Sequence, residues 1–213
     1  MTDVLESLRA AAVVAVLRAP DAEGALRAVD ALVAGGVTGI EVTYSTPDAP
    51  KVIETLAQRY GEQIVLGAGT VRTPAEATDA VAAGARYLVS PGTTDELAAA
   101  MLDTGATVLL GALTPSEVMR VSGLGAHAVK IFPAGLGGPA YLRALRAPFP
   151  DLAFVPTGGV NPDTLPEWLS AGASAAGAGG ELCSARDIAD ARFADITARA
   201  ARFTAAVATW RSP

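Results

Sequence analysis

Cysteine and histidine are nearly absent from this sequence of 213 residues, which contains Cys183 and His127 and no others. A lone cysteine excludes a disulfide within the chain and suits a reducing cytoplasm, which is where we expect the protein. One Cys and one His are too few to form a typical zinc site. The sequence also has no cluster of Asp and Glu that would indicate a site for another divalent ion. We therefore expect no metal and no cofactor, and we interpret Cys183 as a packing residue.

Basic runs, aromatic residues and long apolar stretches are scarce as well. The formal net charge is −6 and aromatic residues make up 5% of the chain. The sequence therefore lacks the basic pattern that is typical of nucleic-acid-binding proteins. No apolar stretch reaches the roughly 18–20 residues of a membrane span, and the start, Met1 to Glu6, is acidic, unlike a secretory signal. A content of 51% hydrophobic residues predicts one large core, and hence a single domain over residues 1–213.

Lysine is the scarcest charged residue, with two copies against fourteen arginines. One of them, Lys130, lies within the apolar run from Ala126 to Pro133. An ammonium in an apolar setting is costly and tends to lose its proton, whereas a guanidinium stays charged. A neutral amine is a nucleophile for carbonyl carbons. The alternative is that the Lys130 methylene chain is buried while its ammonium group reaches water. Lys130 considered by itself leaves both interpretations open.

A unit recurs along the chain: an Ala-rich helical stretch ends in glycine, and a short apolar strand follows. Gly is the favoured left-handed terminator of a helix, and a spacing of about 20 to 25 residues fits one βα unit. The predicted strands span residues 13–18, 39–45, 64–70, 87–92, 107–113, 128–133, 153–159 and 174–180. They are continuously apolar, as expected when both faces are covered. Eight such strands alternating with helices predict a compact (β/α)8 TIM barrel. An open doubly wound sheet is the alternative, but no Gly-rich dinucleotide loop follows the first strand.

Several helix boundaries are also visible in the sequence. Predicted helices have a proline in their first turn, where it costs no hydrogen bond, at Thr73-Pro74, Thr114-Pro115, Gly138-Pro139 and Asn161-Pro162-Asp163. Residues 2–10 predict a short amphipathic N-terminal helix that covers the base of the barrel. A further short helix is expected after Gly179-Gly180.

Unusual residues collect at the C-terminal ends of the predicted strands, where barrels of this kind build their active sites. Two of them, Glu41 and Lys130, are charges within apolar strands, each expensive to bury alone. If Glu41 and Lys130 face one another in the barrel mouth, each charge offsets the cost of burying the other, and the two can act together. The alternative is a structural salt bridge, although buried bridges contribute little to stability. The other polar or aromatic residues at these ends are Arg18, Thr43, Ser45, Thr70, Ser90, Thr114, Phe132 and Thr157.

Glycines after the seventh and eighth strands indicate an anion site. Gly158-Gly159 and Gly179-Gly180 each precede a predicted helix, and backbone amides of these two loops commonly hold a phosphate in this fold. The alternative is that these glycines only permit tight turns. Arg18, at the end of the first strand, is placed to hold a substrate carboxylate bidentately, unless it pairs with a neighbouring acid.

Five motifs together resemble the 2-keto-3-deoxy-6-phosphogluconate (KDPG) aldolases and their relatives that act on the phosphogalactonate epimer and on 4-hydroxy-2-oxoglutarate. The resemblance spans residues 8–205 and rests on Gly39-Ile40-Glu41-Val42-Thr43, Gly67-Ala68-Gly69-Thr70-Val71, Val89-Ser90-Pro91-Gly92, Val129-Lys130-Ile131-Phe132-Pro133-Ala134 and Val155-Pro156-Thr157-Gly158-Gly159-Val160. All five in this order and at this spacing are highly specific. The resemblance implies a class I aldolase, which works through an imine on a lysine and needs no metal.

The resemblance also implies a role for each matching position. Lys130 is similar to the imine-forming lysine and Glu41 to the general acid/base. The implied binding residues are Thr70 for the pyruvoyl carboxylate, Pro91, Phe132 and Thr157 as pocket walls, and Gly158, Gly159 and Gly179 as phosphate-loop positions. The implied partners are a small 2-keto-3-deoxy sugar acid and pyruvate. Because many relatives are trimers, a homotrimer is expected.

Two positions depart from the family pattern. Phosphogluconate-type members often carry Arg where this chain has Ser45, to hold the carboxylate. Galactonate-type members and many others instead have Arg at the end of the first strand, as Arg18 is here, so the preferred epimer stays open. Many members have Ser where this chain has Gly180; a hydroxyl donor to phosphate is then missing, and an inward-pointing Glu181 would repel a dianion.

Two other functions remain as alternatives. One is a barrel isomerase, epimerase or synthase that works without an imine, and the other is a catalytically silent sugar-acid sensor.

Overall fold

Eight strands and ten helices make up residues 3–212, the part of the chain that the computed structural model describes. The strands are β1 (Val13–Leu17), β2 (Gly39–Thr43), β3 (Val65–Gly69), β4 (Tyr87–Val89), β5 (Thr107–Ala112), β6 (Ala128–Ile131), β7 (Phe154–Pro156) and β8 (Ala176–Ala178). The helices are α1 (Val4–Ala11), α2 (Ala22–Ala34), α3 (Ala49–Tyr60), α4 (Pro74–Ala82), α5 (Asp95–Asp103), α6 (Pro115–Gly123), α7 (Gly138–Arg146), α8 (Leu165–Ser170), α9 (Ala185–Ala189) and α10 (Phe193–Arg211). Over these residues, no helix is long and apolar enough to cross a membrane.

The strands form a closed parallel barrel. Each pairs with its neighbours in chain order from β1 to β7, and β8 pairs with β1. A parallel bridge between Thr157 and Gly177 then joins the ends of β7 and β8. The predicted (β/α)8 barrel is therefore confirmed, and the open doubly wound alternative is wrong.

Local sequence signals set the helix ends. Thr73 and Thr114 each cap a helix through the backbone N–H of a glutamate three residues on, and the glutamate side chain bonds back to the cap. The predicted helix-to-strand turns contain glycines with positive φ, as at Gly84 (φ 106°) and Gly172 (φ 98°). A side chain is strained in this left-handed region, so the recurring glycine is a consequence of how each helix ends.

The interior of the barrel has its own apolar cluster, which α1 closes from below. Its members are Leu8, Val14, Val65, Tyr87, Val89, Leu109, Ala128, Ala153, Val155 and Ala175. Leu8 is 1% exposed, and burial of such a side chain contributes roughly 1.5–3 kcal/mol. The N-terminal helix predicted over residues 2–10 is thus present as α1, with Thr2 outside the described residues. The strand residues that face outward join the larger core beneath the helices, which explains why both strand faces are apolar.

The structure corrects two groups of predicted boundaries. All eight strands end earlier than predicted, and β3, β7 and β8 also begin later. As a result, Arg18, Ser45, Thr70, Ser90, Phe132 and Thr157 lie just beyond their strands. At Thr70 the backbone turns to φ 55°, which stops the ladder. The helix predicted from Asn161 begins instead at Leu165, because the Asn161 side chain accepts hydrogen bonds from the N–H groups of Asp163 and Thr164 and stabilises a turn.

Candidate active site

Lys130 and Glu41 meet inside the barrel mouth. Lys130 lies on β6, two residues after the interior residue Ala128, so the strand period of two directs its side chain inward. Glu41 lies on β2, on the other side of the barrel. The Lys130 Nζ atom is 3.2 Å from Glu41 Oε1, and each side chain is 5% exposed. The structure therefore brings together the two charges that the sequence places within apolar strands.

Glycines on β3 and β5, the strands next to those of Glu41 and Lys130, allow close packing at the barrel mouth. On β3, a Cβ atom at Gly69 would lie 1.9 Å from Glu41 Oε1, so the carboxylate rests on bare backbone. On β5, Gly111 pairs with Lys130 in the strand register, and a Cβ atom there would lie 2.4 Å from the Pro91 backbone. Any side chain at residue 69 would therefore displace the Glu41 carboxylate, and any side chain at residue 111 would displace the Pro91 backbone.

The pair differs from a structural ion pair in how few partners it has. Within residues 3–212, the contact between Lys130 and Glu41 is the one side-chain hydrogen bond that either group makes. Asp187, by contrast, accepts hydrogen bonds from the Ser184 hydroxyl, Arg192 and Arg199. Although burial raises the pKa of Asp187, the Ser184 hydroxyl and the two arginines outweigh it and hold this pKa below its usual value. Buried charges with a single polar contact leave donor and acceptor capacity unused, as expected of a site that receives a ligand.

Phe132 lies next to the amine, and Thr157 lies at the end of the neighbouring strand β7. The Lys130 Nζ atom lies 5.6 Å from the centroid of the Phe132 ring. Thr157 is 5% exposed and follows β7, where it pairs with Gly177. A Cβ atom at Gly177 would lie 2.4 Å from the Thr157 Oγ1 atom, so this glycine makes space for the hydroxyl.

A cleft of about 290 Å³ opens between β1, β7 and β8. Seven of the residues singled out in the sequence line it: Arg18, Phe132, Thr157, Gly158, Gly159, Gly179 and Gly180. Gly158 and Gly159 have φ 99° and 74°, and a Cβ atom at Gly159 would lie 3.0 Å from the Gly135 Cα atom. The glycine loop is thus required by backbone geometry, while it also exposes backbone to the cleft.

Three predicted binding residues lie outside this cleft. Pro91 lines a separate cavity of about 100 Å³, which shares Phe132 with the cleft. Thr70 is half-buried just after β3. The Ser45 hydroxyl is 2.7 Å from Thr43 Oγ1, which itself donates to the Leu17 carbonyl. Because the Thr43 proton is used in that bond, Ser45 must donate to Thr43, and its hydroxyl is not a free donor for a substrate.

Several contributors to the site were missed in the sequence. Tyr87 is fully buried in the barrel interior, and its hydroxyl donates to the carbonyl of Ile40, the residue before Glu41. Its signal was a polar aromatic residue in an otherwise apolar strand. Ser184 also lines the cleft, next to Glu181, which the sequence had already placed beside the phosphate loop. Cys183 also lines the cleft, and burial raises the pKa of its thiol to about 12, so this cysteine is not a nucleophile at neutral pH.

Comparison with known proteins identifies the family. The family model of the KDPG and KHG aldolases matches residues 4–199. The chain belongs to this aldolase family. It is therefore an enzyme that acts as a carbon–carbon lyase, and the resemblance carried by the five sequence motifs is confirmed.

Individual relatives cover most of the chain. The 2-dehydro-3-deoxy-phosphogluconate aldolase of Treponema pallidum is 35% identical over 93% of this chain and 94% of its own length. The 2-dehydro-3-deoxy-6-phosphogalactonate aldolase of Escherichia coli is 36% identical over 79% of this chain and 83% of its own length. A crystal structure of the KDPG aldolase from Legionella pneumophila, with pyruvate captured as a covalent carbinolamine, superposes with a TM-score of 0.85. It is 36% identical and covers 92% of this chain and 96% of its own.

Proposed function

We propose that this aldolase reversibly cleaves a 2-keto-3-deoxy-6-phospho sugar acid of the KDPG type into pyruvate and glyceraldehyde 3-phosphate, through an imine on Lys130. The observation that carries the proposal is the buried approach of the Lys130 amine to the Glu41 carboxylate, at 3.2 Å. At this distance the carboxylate can take the ammonium proton, and the amine that results is a nucleophile. Cleavage of 4-hydroxy-2-oxoglutarate to pyruvate and glyoxylate belongs to the same reaction class.

The reaction proceeds through covalent intermediates on Lys130: a carbinolamine, an imine and an enamine. The neutral amine of Lys130 attacks the C2 ketone to form a carbinolamine. Glu41 then gives the proton that it took from the ammonium to the carbinolamine hydroxyl, which leaves as water, so that a protonated imine and an ionised Glu41 result. The imine accepts the electrons of the breaking C3–C4 bond, while Glu41 removes the proton of the C4 hydroxyl and the aldehyde departs. Glu41 returns this proton to C3 of the enamine, and hydrolysis of the imine releases pyruvate and the free amine. Acid–base assistance of this kind contributes roughly 10²–10⁴-fold to the rate.

The cleft between β1, β7 and β8 is the proposed binding site for the remainder of the substrate. Arg18 supplies a guanidinium for an anionic group, and Gly158, Gly159, Gly179 and Gly180 offer backbone to a phosphate. Phe132 lies beside the amine and lines the cleft together with Thr157, so the two would enclose the reacting carbons. Thr70 and Pro91 are proposed to hold the pyruvoyl end. Ser45 is the weakest of these assignments because its hydroxyl is bonded to Thr43.

Trapping with borohydride tests the imine directly. Pyruvate and borohydride should add one reduced pyruvyl group to the protein, and peptide mapping should place it on Lys130. Lys51, the other lysine, is 72% exposed on α3 and provides a matched control. Lys51→Arg should be labelled like the wild type. In Lys130→Arg, the peptide that contains residue 130 should carry no label. Turnover without any adduct would support an imine-free isomerase or synthase, and pyruvate binding without turnover would support a sensor.

Substrate preference requires a parallel assay. Pyruvate release from the two phosphorylated epimers and from 4-hydroxy-2-oxoglutarate should be followed by NMR under identical conditions. Faster cleavage of a phosphorylated epimer is the expected result. Equal efficiency on the unphosphorylated compound would remove the role assigned to the glycine loops.

We further propose a homotrimer in the cytoplasm. The trimer follows from the family resemblance, and the single cysteine suits a reducing compartment. Light scattering should give three times the mass of one chain, and the mass of a single chain or of a dimer would contradict the assembly.

A further inference from the structure

We propose that Tyr87 is a positioning residue for Glu41: it links β4 to β2 beneath the carboxylate and holds the backbone that carries it. The inference rests on the proposed function, in which Glu41 moves the substrate protons. It concerns a residue on the barrel floor that the mechanism does not otherwise use.

The Tyr87 side chain crosses one strand to reach β2. Its own strand, β4, pairs with β3, and Tyr87 is opposite Gly67 in that register. A Cβ atom at Gly67 would lie 2.4 Å from the Tyr87 ring, so the ring lies flat against the bare β3 backbone. Beyond Gly67, the Tyr87 hydroxyl donates to the Ile40 carbonyl on β2 at 2.8 Å.

The side chains of Glu41 and Tyr87 therefore lie next to each other against the backbone of β3. Gly67 faces Glu41 in the register between β2 and β3, and Gly69 lies two residues further toward the mouth. Glu41 covers Gly69 while Tyr87 covers Gly67. The ring thus occupies the space below the carboxylate, which keeps Glu41 from turning down into the barrel and away from Lys130.

The hydroxyl bond acts on the peptide unit that joins Ile40 to Glu41. Since Tyr87 is fully buried, this bond does not compete with water. Burial, and secondly the charge of Glu41, raise the pKa of Tyr87 well above its usual value, so the phenol stays a donor. It holds the strand and does not exchange protons with the substrate.

Two measurements separate a positioning role from a merely structural one. Borohydride trapping reports the fraction of enzyme that carries the pyruvate imine, which depends on Lys130. Exchange of the pyruvate methyl protons for deuterium, followed by NMR, reports proton transfer at C3 by Glu41. The exchange rate divided by the trapped fraction, which we call exchange per imine, isolates the contribution of Glu41. A misplaced Glu41 lowers this ratio and leaves trapping unchanged, whereas general loosening of the fold lowers trapping as well.

Tyr87→Phe removes the hydroxyl bond and keeps the ring. We expect unchanged trapping and KM, with exchange per imine and kcat each lowered roughly three- to tenfold, the effect of losing one neutral hydrogen bond. Tyr141→Phe is the matched control, because Tyr141 on α7 also donates to a backbone carbonyl, that of Leu113. It should leave both readouts at the wild-type level. Wild-type exchange in Tyr87→Phe, or an equal loss in Tyr141→Phe, overturns the proposal.

A second variant covers the case in which Tyr87→Phe does not fold. In Gly67→Ala/Tyr87→Leu, the new methyl group takes part of the volume that the ring leaves, and no donor to Ile40 remains. This variant should lower exchange per imine at least as far as Tyr87→Phe, and wild-type exchange in it contradicts the proposal. Absence of any adduct in the wild type contradicts the imine mechanism instead, so the two failures are distinguishable.

Discussion

The carboxylate of Glu41 lies directly over Gly69: a Cβ atom at residue 69 would be 1.9 Å from its Oε1 atom. This contact gives the second glycine of the Gly67-Ala68-Gly69 motif a steric role. The backbone of β3 serves as the surface on which the carboxylate rests, and any side chain at residue 69 would move Glu41 relative to Lys130.

Gly69→Ala should fold but lose activity. The three atoms nearest to the added Cβ, Oε1, Cδ and Cγ, all belong to the Glu41 side chain, so Glu41 must change rotamer while the backbone need not move. Because the displaced carboxylate no longer serves as acid/base, kcat should fall by roughly 10²-fold or more in the aldol cleavage assay. Gly123→Ala is the control, since a Cβ atom there meets nothing within 4 Å and its activity should stay unchanged. Full activity in Gly69→Ala would show that Glu41 is not the acid/base.

Lys130→Arg should reduce turnover to background, although it conserves charge. A guanidinium remains protonated and cannot form the imine that accepts the electrons of the C3–C4 bond. Steady-state cleavage of the preferred phosphorylated epimer is the appropriate measurement. Lys51→Arg, which alters an exposed residue on α3, should retain wild-type kcat and KM. Measurable multiple turnover in Lys130→Arg would contradict the covalent mechanism.

Glu181→Gln should improve the use of phosphorylated substrates. Glu181 is exposed and lines the cleft that also contains Arg18, so its charge opposes a phosphate dianion. Removing one exposed charge should raise kcat/KM roughly two- to fivefold at low salt, and less at high salt because the interaction is screened. An unphosphorylated substrate with one fewer anionic group should respond less. Glu62→Gln changes net charge equally at an exposed position outside the cleft and should have no such effect.

Asp187 should make stability depend on acid pH. Its folded-state pKa is held below the usual value, so its full contribution is present above the ordinary carboxyl range and is lost as pH falls toward the folded pKa. Asp187→Asn should therefore lower stability at pH 7 by about 2 kcal/mol and flatten the decline of Tm between pH 5 and pH 3, roughly the range of ordinary carboxyl groups. Asp190→Asn is the control, because Asp190 is exposed and its arginine contacts are 3.6 and 3.7 Å long. A wild-type acid profile in Asp187→Asn would contradict this assignment.

The barrel and the principal pair of residues were predictable from the sequence because their signals are local. Helix caps such as Thr73, turn glycines such as Gly84 and short apolar strands depend on a few neighbouring residues, and their repetition specifies eight βα units. Glu41 and Lys130 stood out because charges are rare within apolar strands. The turn at Asn161 was the main local error, since its side chain competes with the helix for backbone donors.

Contacts across the barrel were settled by the tertiary structure alone. Lys130 and Glu41 are 89 residues apart in the chain, and their approach depends on the register of every strand between them. The same closure places Tyr87 against Gly67 and the Thr157 hydroxyl against Gly177. It also leaves Ser45 bonded to Thr43, away from the cleft. The alternation of residues along a strand determines which side chains point into the barrel. Which of these side chains meet is decided only by the closed barrel, because a shift in the register between two strands would change every pair of opposing residues.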